Sequence, residues 1–290
     1  MDGLSNIGTI KEILSRYGFT FSKGLGQNFL INPSVCPRMA QECGAGKGVG
    51  VLEVGPGIGV LTNELCKISD KVVSVELDKR LPEVLSETLS EHKNFKLISG
   101  DIMEIDLKAL IEEEFSGLDV VVCANLPYYI TTPVIMRFLE EKLRIKSLTV
   151  MVQKEAGQRL TAKVGSRESG AVTVSVAYYC NPELLFDVSR GSFMPSPNVD
   201  SAVIRLNISD TPNVKVKKEN DFKRVVKAGF SQRRKTLSNS LASGLGISKE
   251  IANSLITNAG LQSSIRAEKL TLEDFGRLAD CLTEYENEKA

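Results

Sequence analysis

Histidine is almost missing from this sequence: His92 is the single one among 290 residues. A His-rich metal centre is therefore excluded. A Ser-His-Asp triad would have to use that one residue, and no strand-turn-helix nucleophile motif accompanies it. His92 sits in the polar run Glu91-His92-Lys93-Asn94 and reads as a solvated surface side chain. The six cysteines, from Cys36 to Cys281, form no C-x-x-C pair. Their scatter speaks against a zinc site or a disulfide framework and for a reducing, cytoplasmic setting. No apolar run approaches the ~20 residues of a membrane helix, so no membrane partner is expected. The first residues include Asp2, Lys11 and Glu12 and hold no apolar signal core, and they are not the Arg-rich, acid-poor stretch of a transit peptide. Net charge is absent too, with 36 basic residues against 36 acidic. Neither internal repeats nor low-complexity segments are apparent.

What remains is an ordinary soluble composition, 42% hydrophobic and 25% charged. The length suits one large domain, or a large one and a small one. The most informative stretch is Val121-Val122-Cys123-Ala124-Asn125-Leu126-Pro127-Tyr128-Tyr129. Its β-branched start reads as a buried strand. Asn125, Leu126, Pro127 and Tyr128 then fall at the strand's carboxyl end, where open α/β sheets place ligands. Asn125 offers an acceptor and a donor, Pro127 stiffens the turn, and Tyr128 supplies a flat face. Taken alone, the stretch could equally be a strand ending in an ordinary Asn-Pro turn.

Other strands frame this one. Val49–Val54 runs into Gly55-Pro56-Gly57-Ile58-Gly59 and then an apolar helical pattern, the strand-loop-helix order of nucleotide cofactor sites. Lys71–Val75 ends at Glu76, 21 residues after Gly55, the spacing expected of a carboxylate gripping ribose hydroxyls. Asp78, just beyond, reads as a helix cap. Phe95–Ser99 ends at Gly100-Asp101, where the acid could accept from an adenine amino group or cap the next turn. Further strands are expected at Ser147–Val152, Ala171–Cys180 and Ser201–Ile208. Helices are expected over 5–17 (apolar face Ile7, Ile10, Ile13, Leu14), over 34–43 and after Thr132-Pro133. The acidic stretch 104–119 reads as a solvated helix face, and the polar 153–160 as helical. Lys23–Leu30 and Lys163–Gly170 read as loops, and Phe193 as a plug under a Pro-stiffened loop.

After a linker at Thr211-Pro212-Asn213 the chain changes character. Residues 215–235 carry nine basic residues against two acids, a net +7 in an otherwise neutral chain. Lys223, Arg224, Lys227, Arg233, Arg234 and Lys235 are the candidates for contact with a phosphate backbone. A solvated charged helix is the plainer reading. Further helices are expected near 248–258 and 272–284. The domain limits that follow are 1–210 and 215–290.

Two enzyme classes share the glycine loop and the acid after it. A nicotinamide enzyme would not need Asn-Leu-Pro-Tyr. A methyltransferase using S-adenosyl-L-methionine needs the loop, a ribose acid, an adenine acceptor and a pocket for the methyl acceptor. Gly26-Gln27-Asn28-Phe29-Leu30, Glu53-Val54-Gly55-Pro56-Gly57-Ile58-Gly59, Asn125-Leu126-Pro127-Tyr128, Gln153-Lys154-Glu155 and Phe193-x-Pro195-x-Pro197-x-Val199-Asp200-Ser201 together resemble the ribosomal RNA adenine dimethyltransferases. Phe230 to Leu241 resembles the C-terminal signature of the branch acting on small-subunit (16S) ribosomal RNA. No motif position departs from the pattern, and the match spans nearly the whole chain.

The resemblance implies an α/β, Rossmann-like catalytic domain with a seven-stranded, mostly parallel sheet and one antiparallel strand, followed by a small all-α domain. It implies transfer of four methyl groups to N6 of two adjacent adenosines near the 3′ end of the small-subunit RNA, with no metal. Carried over by position, the cofactor contacts are Asn28, Leu30, Gly55, Glu76, Asp101 and Asn125. Asn125 and the Leu126 carbonyl would accept from the target N6–H, with Tyr128 and Phe193 on the two faces of a flipped base. The expected partner is small-subunit RNA within a pre-30S-type particle, met by a monomer. The alternatives are a large-subunit RNA methyltransferase of the macrolide-resistance type, or an assembly factor whose methylation is secondary.

Overall fold

The computed structural model describes residues 4–18, 28–232 and 234–289. Residues 23–27 of the expected N-terminal loop, and Arg233, lie outside these. The chain divides into two compact units, one reaching to Gly157 and resuming at Pro182–Ile208, the other made of Gln158–Asn181 and the chain from Ser209 onward. The second unit thus takes in 158–181, a segment that a cut at residue 210 assigns to the first.

The first unit opens with α1 (Ile7–Arg16), capped by Asn6, whose side chain accepts from Gly8 N at 2.8 Å. Ile10, Ile13 and Leu14 are buried, but Ile7 is exposed, so the apolar face is narrower than its spacing suggests. After β1 (Phe29–Leu30) and α2 (Val35–Glu42), sheet strands and helices alternate: β2 (Val49–Val54), α3 (Val60–Ile68), β3 (Lys71–Glu76), α4 (Leu81–Thr88), β4 (Phe95–Ser99), α5 (Leu107–Glu114), β5 (Asp119–Asn125), α6 (Thr131–Glu140) and β6 (Ser147–Gln153). Beyond lie α7 (Lys154–Leu160), α8 (Ala171–Tyr179), β7 (Cys180–Val188), β8 (Phe193–Met194) and β9 (Ser201–Ile208). The seven-stranded sheet has the order β4-β3-β2-β5-β6-β9-β7. From β4 to β6 the pairings are parallel, and β9 runs antiparallel to β6. β2, β3, β5 and β6 are buried along almost their whole length. Both faces of the sheet centre are therefore covered, which is why these strands read as continuous apolar runs rather than alternating ones. β1 and β8 form a separate antiparallel ribbon pairing Leu30 with Phe193.

The expected strand over Ala171–Cys180 is a helix. Its β-branched residues favour a strand only while packing does not decide. Here Thr173, Val174, Val176, Tyr178 and Tyr179 are all buried, and Tyr178 stacks on Phe222 at 4.3 Å. The Thr173 hydroxyl accepts from Gly170 N at 3.0 Å and fixes the helix start. The strand begins only at Cys180 and contains Pro182. That proline is tolerated because β7 lies at the edge of the sheet.

Three smaller expectations change as well. His92 is half-buried, its Nε2 2.9 Å from Asn63 Oδ1, and desolvation lowers its pKa. Glu114, on the supposed solvated face, is buried and held by Lys71, at 2.9 Å, and by Lys96. Asp78 is no helix cap: α4 starts after Arg80, and Asp78 instead accepts from that residue's backbone N at 3.1 Å and from its guanidinium.

In the second unit, α9 (Glu219–Gly229), α10 (Leu237–Leu245), α11 (Lys249–Asn258) and α12 (Leu272–Asn287) follow α8. The linker expected at 211–213 is tied down, with Asn213 Nδ2 donating to Ala177 O at 2.8 Å and Asn213 N to Tyr178 O at 2.9 Å. α9 and α10 pack so closely that a Cβ on Gly244 would lie 2.6 Å from Ala228 Cα.

Candidate active site

The parallel register sets the carboxyl ends of four strands side by side. Val54 pairs with both Val75 and Ala124, and Glu76 pairs with Ser99. Gly55, Glu76, Asp101 and Asn125 therefore line one cleft, joined from the β1–β8 ribbon by Asn28, Leu30 and Phe193. The cleft encloses about 1110 Å³, open mouth included. Its lining mixes the polar side chains of Glu76, Asp101 and Asn125 with apolar ones such as Leu30, Leu81 and Phe193, the makeup of a small-molecule site.

The glycine loop leaves β2 with Gly55 N donating to Val75 O at 2.9 Å. Gly57 has φ +60°, and a Cβ there would lie 3.2 Å from Phe29 Cε1. Gly59, at φ +91°, occupies the N-cap of α3. A Cβ at Gly57 would thus press on Phe29 in the cleft wall, and the N-terminus of α3, which favours a negative group, follows the loop.

Two carboxyls stand under this loop. Glu76 is buried; its Oε1 accepts from Asp78 N at 2.8 Å and its Oε2 from Gly57 N at 3.3 Å. Burial raises its pKa, these amide bonds pull it back, and the nearby Asp78 adds to the rise. Glu53, 1% exposed, accepts at Oε2 from Ser74 Oγ at 2.6 Å and Thr62 Oγ1 at 2.7 Å. Burial pushes its pKa up to about 7 despite those two bonds. Asp101 serves the turn after β4, its Oδ1 accepting from Met103 N at 2.8 Å, while it also lines the cleft.

At the end of β5, Asn125 is half-buried, and its carboxamide makes no hydrogen bond among the described residues. The Leu126 side chain is buried, while its carbonyl accepts no hydrogen bond among the described residues. Pro127 turns the chain, its carbonyl accepting from Ile130 N at 3.1 Å. Tyr128 is half-buried with its hydroxyl 2.6 Å from Ser201 Oγ, and burial raises its pKa. Phe193 is 3% exposed, so it is a core side chain as well as part of the cleft wall. A two-residue ribbon carries it, too short to leave a periodic signal in the sequence.

Sequence reasoning passed over Leu77 and Ile102, which follow the two acids and line the cleft. An apolar residue directly or soon after each strand-end acid was the available signal, since a cleft that takes a flat ring needs apolar wall as well as polar groups. Tyr129, 59% exposed on the cleft rim, was passed over too.

The basic candidates belong to the second unit and are not equivalent. Arg224 grips Glu286 with two bonds, of 2.8 and 2.7 Å, and Asp221 with a third of 3.0 Å, which holds its pKa far above the usual range. Lys223 pairs with Glu219 at 3.3 Å. Lys227, Arg234 and Lys235 are exposed and make no ion pair among the described residues.

A family model described as ribosomal RNA adenine dimethylase matches residues 18–284. A relative from Alkaliphilus oremlandii, named ribosomal RNA small subunit methyltransferase A, is 45% identical over 283 residues, covering 97% of this chain and 99% of its own. Among solved structures, a dimethyladenosine transferase from Plasmodium falciparum superposes with a TM-score of 0.74 at 22% identity, over 90% of this chain and 98% of that one. The 23S rRNA methyltransferase ErmE gives 0.66 at 26% identity, over 88% of this chain and all of its own.

Proposed function

The chain belongs to the ribosomal RNA adenine dimethylase family, and on that premise we propose that it dimethylates N6 of two adjacent adenosines near the 3′ end of small-subunit (16S) ribosomal RNA. The methyl donor is S-adenosyl-L-methionine, and the chain acts as a cytoplasmic monomer on a pre-30S-type particle. The observation that carries this reading is the strand-end constellation: a backbone cradle at Gly55–Gly59, two carboxylates at Glu76 and Asp101, and an unpaired carboxamide at Asn125, all on one cleft.

These residues fit the cofactor. Gly57 leaves space that a Cβ would fill, and both Glu76 oxygens are aimed by backbone amides. Asn28, Leu30 and Gly55 form the walls, Glu76 accepts from ribose hydroxyls, and Asp101 accepts from the adenine amino group. When bound, the cofactor supplies a sulfonium methyl as electrophile.

The chain's own residues prepare the nucleophile. Adenine N6 is a poor one, because its lone pair is delocalised into the ring. Asn125 Oδ1 and the Leu126 carbonyl accept from its N–H groups and favour a tetrahedral nitrogen with its lone pair free. Tyr128 presents a ring face to the flipped base, and Phe193 contacts it through those ring atoms that face the cleft. After transfer the nitrogen releases a proton to water, so no strong base is needed. Catalysis is then mainly orientation and fixed dipoles. Lys227, Arg234 and Lys235 of the helical unit contact the RNA backbone.

The test is methyl transfer from labelled S-adenosyl-L-methionine into small-subunit particles lacking the modification, with large-subunit RNA as control and nucleosides read out. Dimethyladenosine in small-subunit RNA alone is the expected result. The 26% identity with ErmE keeps the second substrate in the assay, and label in large-subunit RNA would transfer the assignment to it. No label in either RNA, with cofactor still bound, would favour an assembly factor.

A further inference from the structure

Two consecutive tyrosines leave β5 for different surroundings. Tyr128 is half-buried and anchored by its hydroxyl to Ser201. Tyr129 borders the same cleft, yet 59% of it faces solvent, and it makes no ring contact among the described residues. Its backbone is fixed all the same. Pro127 O accepts from Ile130 N at 3.1 Å and Thr131 Oγ1 at 3.3 Å, and α6 begins at Thr131. A large aromatic ring is therefore held at the mouth of the cleft on a hydrogen-bonded turn, more than half of it facing solvent.

We propose that Tyr129 is a substrate-positioning residue, a stacking platform for the nucleotide next to the adenosine that enters the cleft. This rests on the reading of the chain as an RNA adenine dimethyltransferase. Drawing one of two adjacent adenosines out of its stack strips the neighbour of a stacking partner and exposes its π-face to water. An aromatic ring at the cleft mouth restores that contact, and with it fixes the register of the strand against Asn125.

Stacking suits this substrate better than hydrogen-bond readout. Whatever the order of the four transfers, the last takes place beside a neighbour that already carries two N6 methyl groups and has lost both amino protons. A hydrogen-bond acceptor aimed at that amino group would reject the half-finished substrate. A ring face accepts the neighbour in either state, because methylation leaves the π-face in place.

The experiment uses the full chain and small-subunit particles reconstituted with chemically ligated RNA, so that the neighbouring nucleotide is either adenosine or abasic. Single-turnover transfer and cofactor affinity are measured for wild type, Tyr129→Ala, Tyr129→Leu and Tyr129→Phe. With the adenosine neighbour, the Ala and Leu variants fall roughly five- to 150-fold, the span of one base–aromatic stack, and Phe restores transfer. Cofactor affinity is unchanged in all of them. With the abasic neighbour, wild type drops to the level of Tyr129→Ala, and the variant drops no further. Equal transfer by wild type and Tyr129→Ala on the adenosine substrate overturns the proposal. So does an abasic penalty that multiplies with the mutation, and so does a loss of cofactor binding that accounts for the deficit. Wild type that labels no small-subunit RNA at all overturns the underlying reading, a result distinct from each of these.

Discussion

The carboxylate of Glu76 accepts a hydrogen bond from the backbone N–H of Gly57 at 3.3 Å, linking the end of β3 to the glycine loop that follows β2. Its other oxygen takes Asp78 N at 2.8 Å. The same group that is assigned to the ribose therefore also shapes the loop beside it. Glu76→Ala is expected to weaken S-adenosyl-L-methionine binding by about 10- to 150-fold, the worth of 1.5–3 kcal/mol for a charged hydrogen-bonding group. Glu76→Gln keeps one acceptor oxygen and loses less. Calorimetric titration of the two variants would decide, and unchanged affinity in Glu76→Ala would remove the ribose assignment.

Gly57→Ala tests the loop itself. A left-handed φ of +60° costs a non-glycine residue about 1–2 kcal/mol, and the added Cβ would lie 3.2 Å from Phe29 Cε1. For a chain of this size each kcal/mol lowers Tm by about 2–4 °C. The expected outcome is a drop of a few degrees together with weaker cofactor binding. Scanning calorimetry with and without cofactor measures both, and a variant as stable as wild type would contradict the geometry.

Glu53 supplies a pH dependence. Its carboxyl is pushed from the ordinary 4.5 up to about 7, chiefly by burial, with the charge of Glu76 adding to the rise. Because the folded value is the higher one, the neutral carboxyl's contribution to stability is complete below about pH 4.5. It is lost as pH rises through about 7. The full excursion amounts to about 3 kcal/mol. Glu53→Gln stays neutral throughout, so the stability difference between variant and wild type should shift in favour of the variant between pH 5 and pH 8. Urea unfolding at both pH values reads this difference. A shift in the opposite direction would mean that the charged form is the one the fold stabilises.

Much of this site could be read from residue order because strand ends announce themselves. Glu76, Asp101 and Asn125 each stand where a β-branched or apolar run stops, and the parallel register brings such stops to one edge. What residue order concealed depends on partners far along the chain. Arg224 looks like one more cation in a basic run, but Glu286, 62 positions away, engages it. Glu114 looks solvated until Lys71 and Lys96 close over it. The segment Ala171–Tyr179 has the composition of a strand and becomes a helix because Phe222 and the Thr173 cap impose it. Local preference was a sound guide wherever the surroundings agreed with it, and it failed where tertiary packing overrode it.

Asn125→Ala separates orientation from binding. The Asn125 carboxamide has no partner among the described residues, so its removal breaks no hydrogen bond of the fold. Its loss should lower the single-turnover transfer rate by about 100- to 1000-fold, the usual penalty for deleting one preorganised polar group at a reacting centre. Stability should stay near that of wild type. Tyr128→Phe, which keeps the ring and drops only the bond to Ser201, should retain most of the rate. A near-normal rate in Asn125→Ala, with RNA and cofactor both bound, would sink the proposed role.

The basic segment makes two opposite predictions for residues a few positions apart. Lys227, Arg234 and Lys235 are exposed and unpaired among the described residues, so phosphate is their natural counter-charge. Replacing all three with Ala should leave Tm unchanged, weaken RNA binding, and flatten the slope of log affinity against log salt by about 2–3, since each phosphate contact contributes roughly 0.7–0.9. Arg224→Ala should do the reverse. It strands Asp221, which is 3% exposed and among the described residues keeps only the Thr283 Oγ1 bond, at 2.7 Å, to its carboxylate, and it frees Glu286. A stability loss of about 1–3 kcal/mol is expected, with the salt slope intact. Binding isotherms at several salt concentrations, set beside thermal melts of both variants, test the pair together. A flattened slope in Arg224→Ala at unchanged Tm would show that this arginine leaves Glu286 for the RNA.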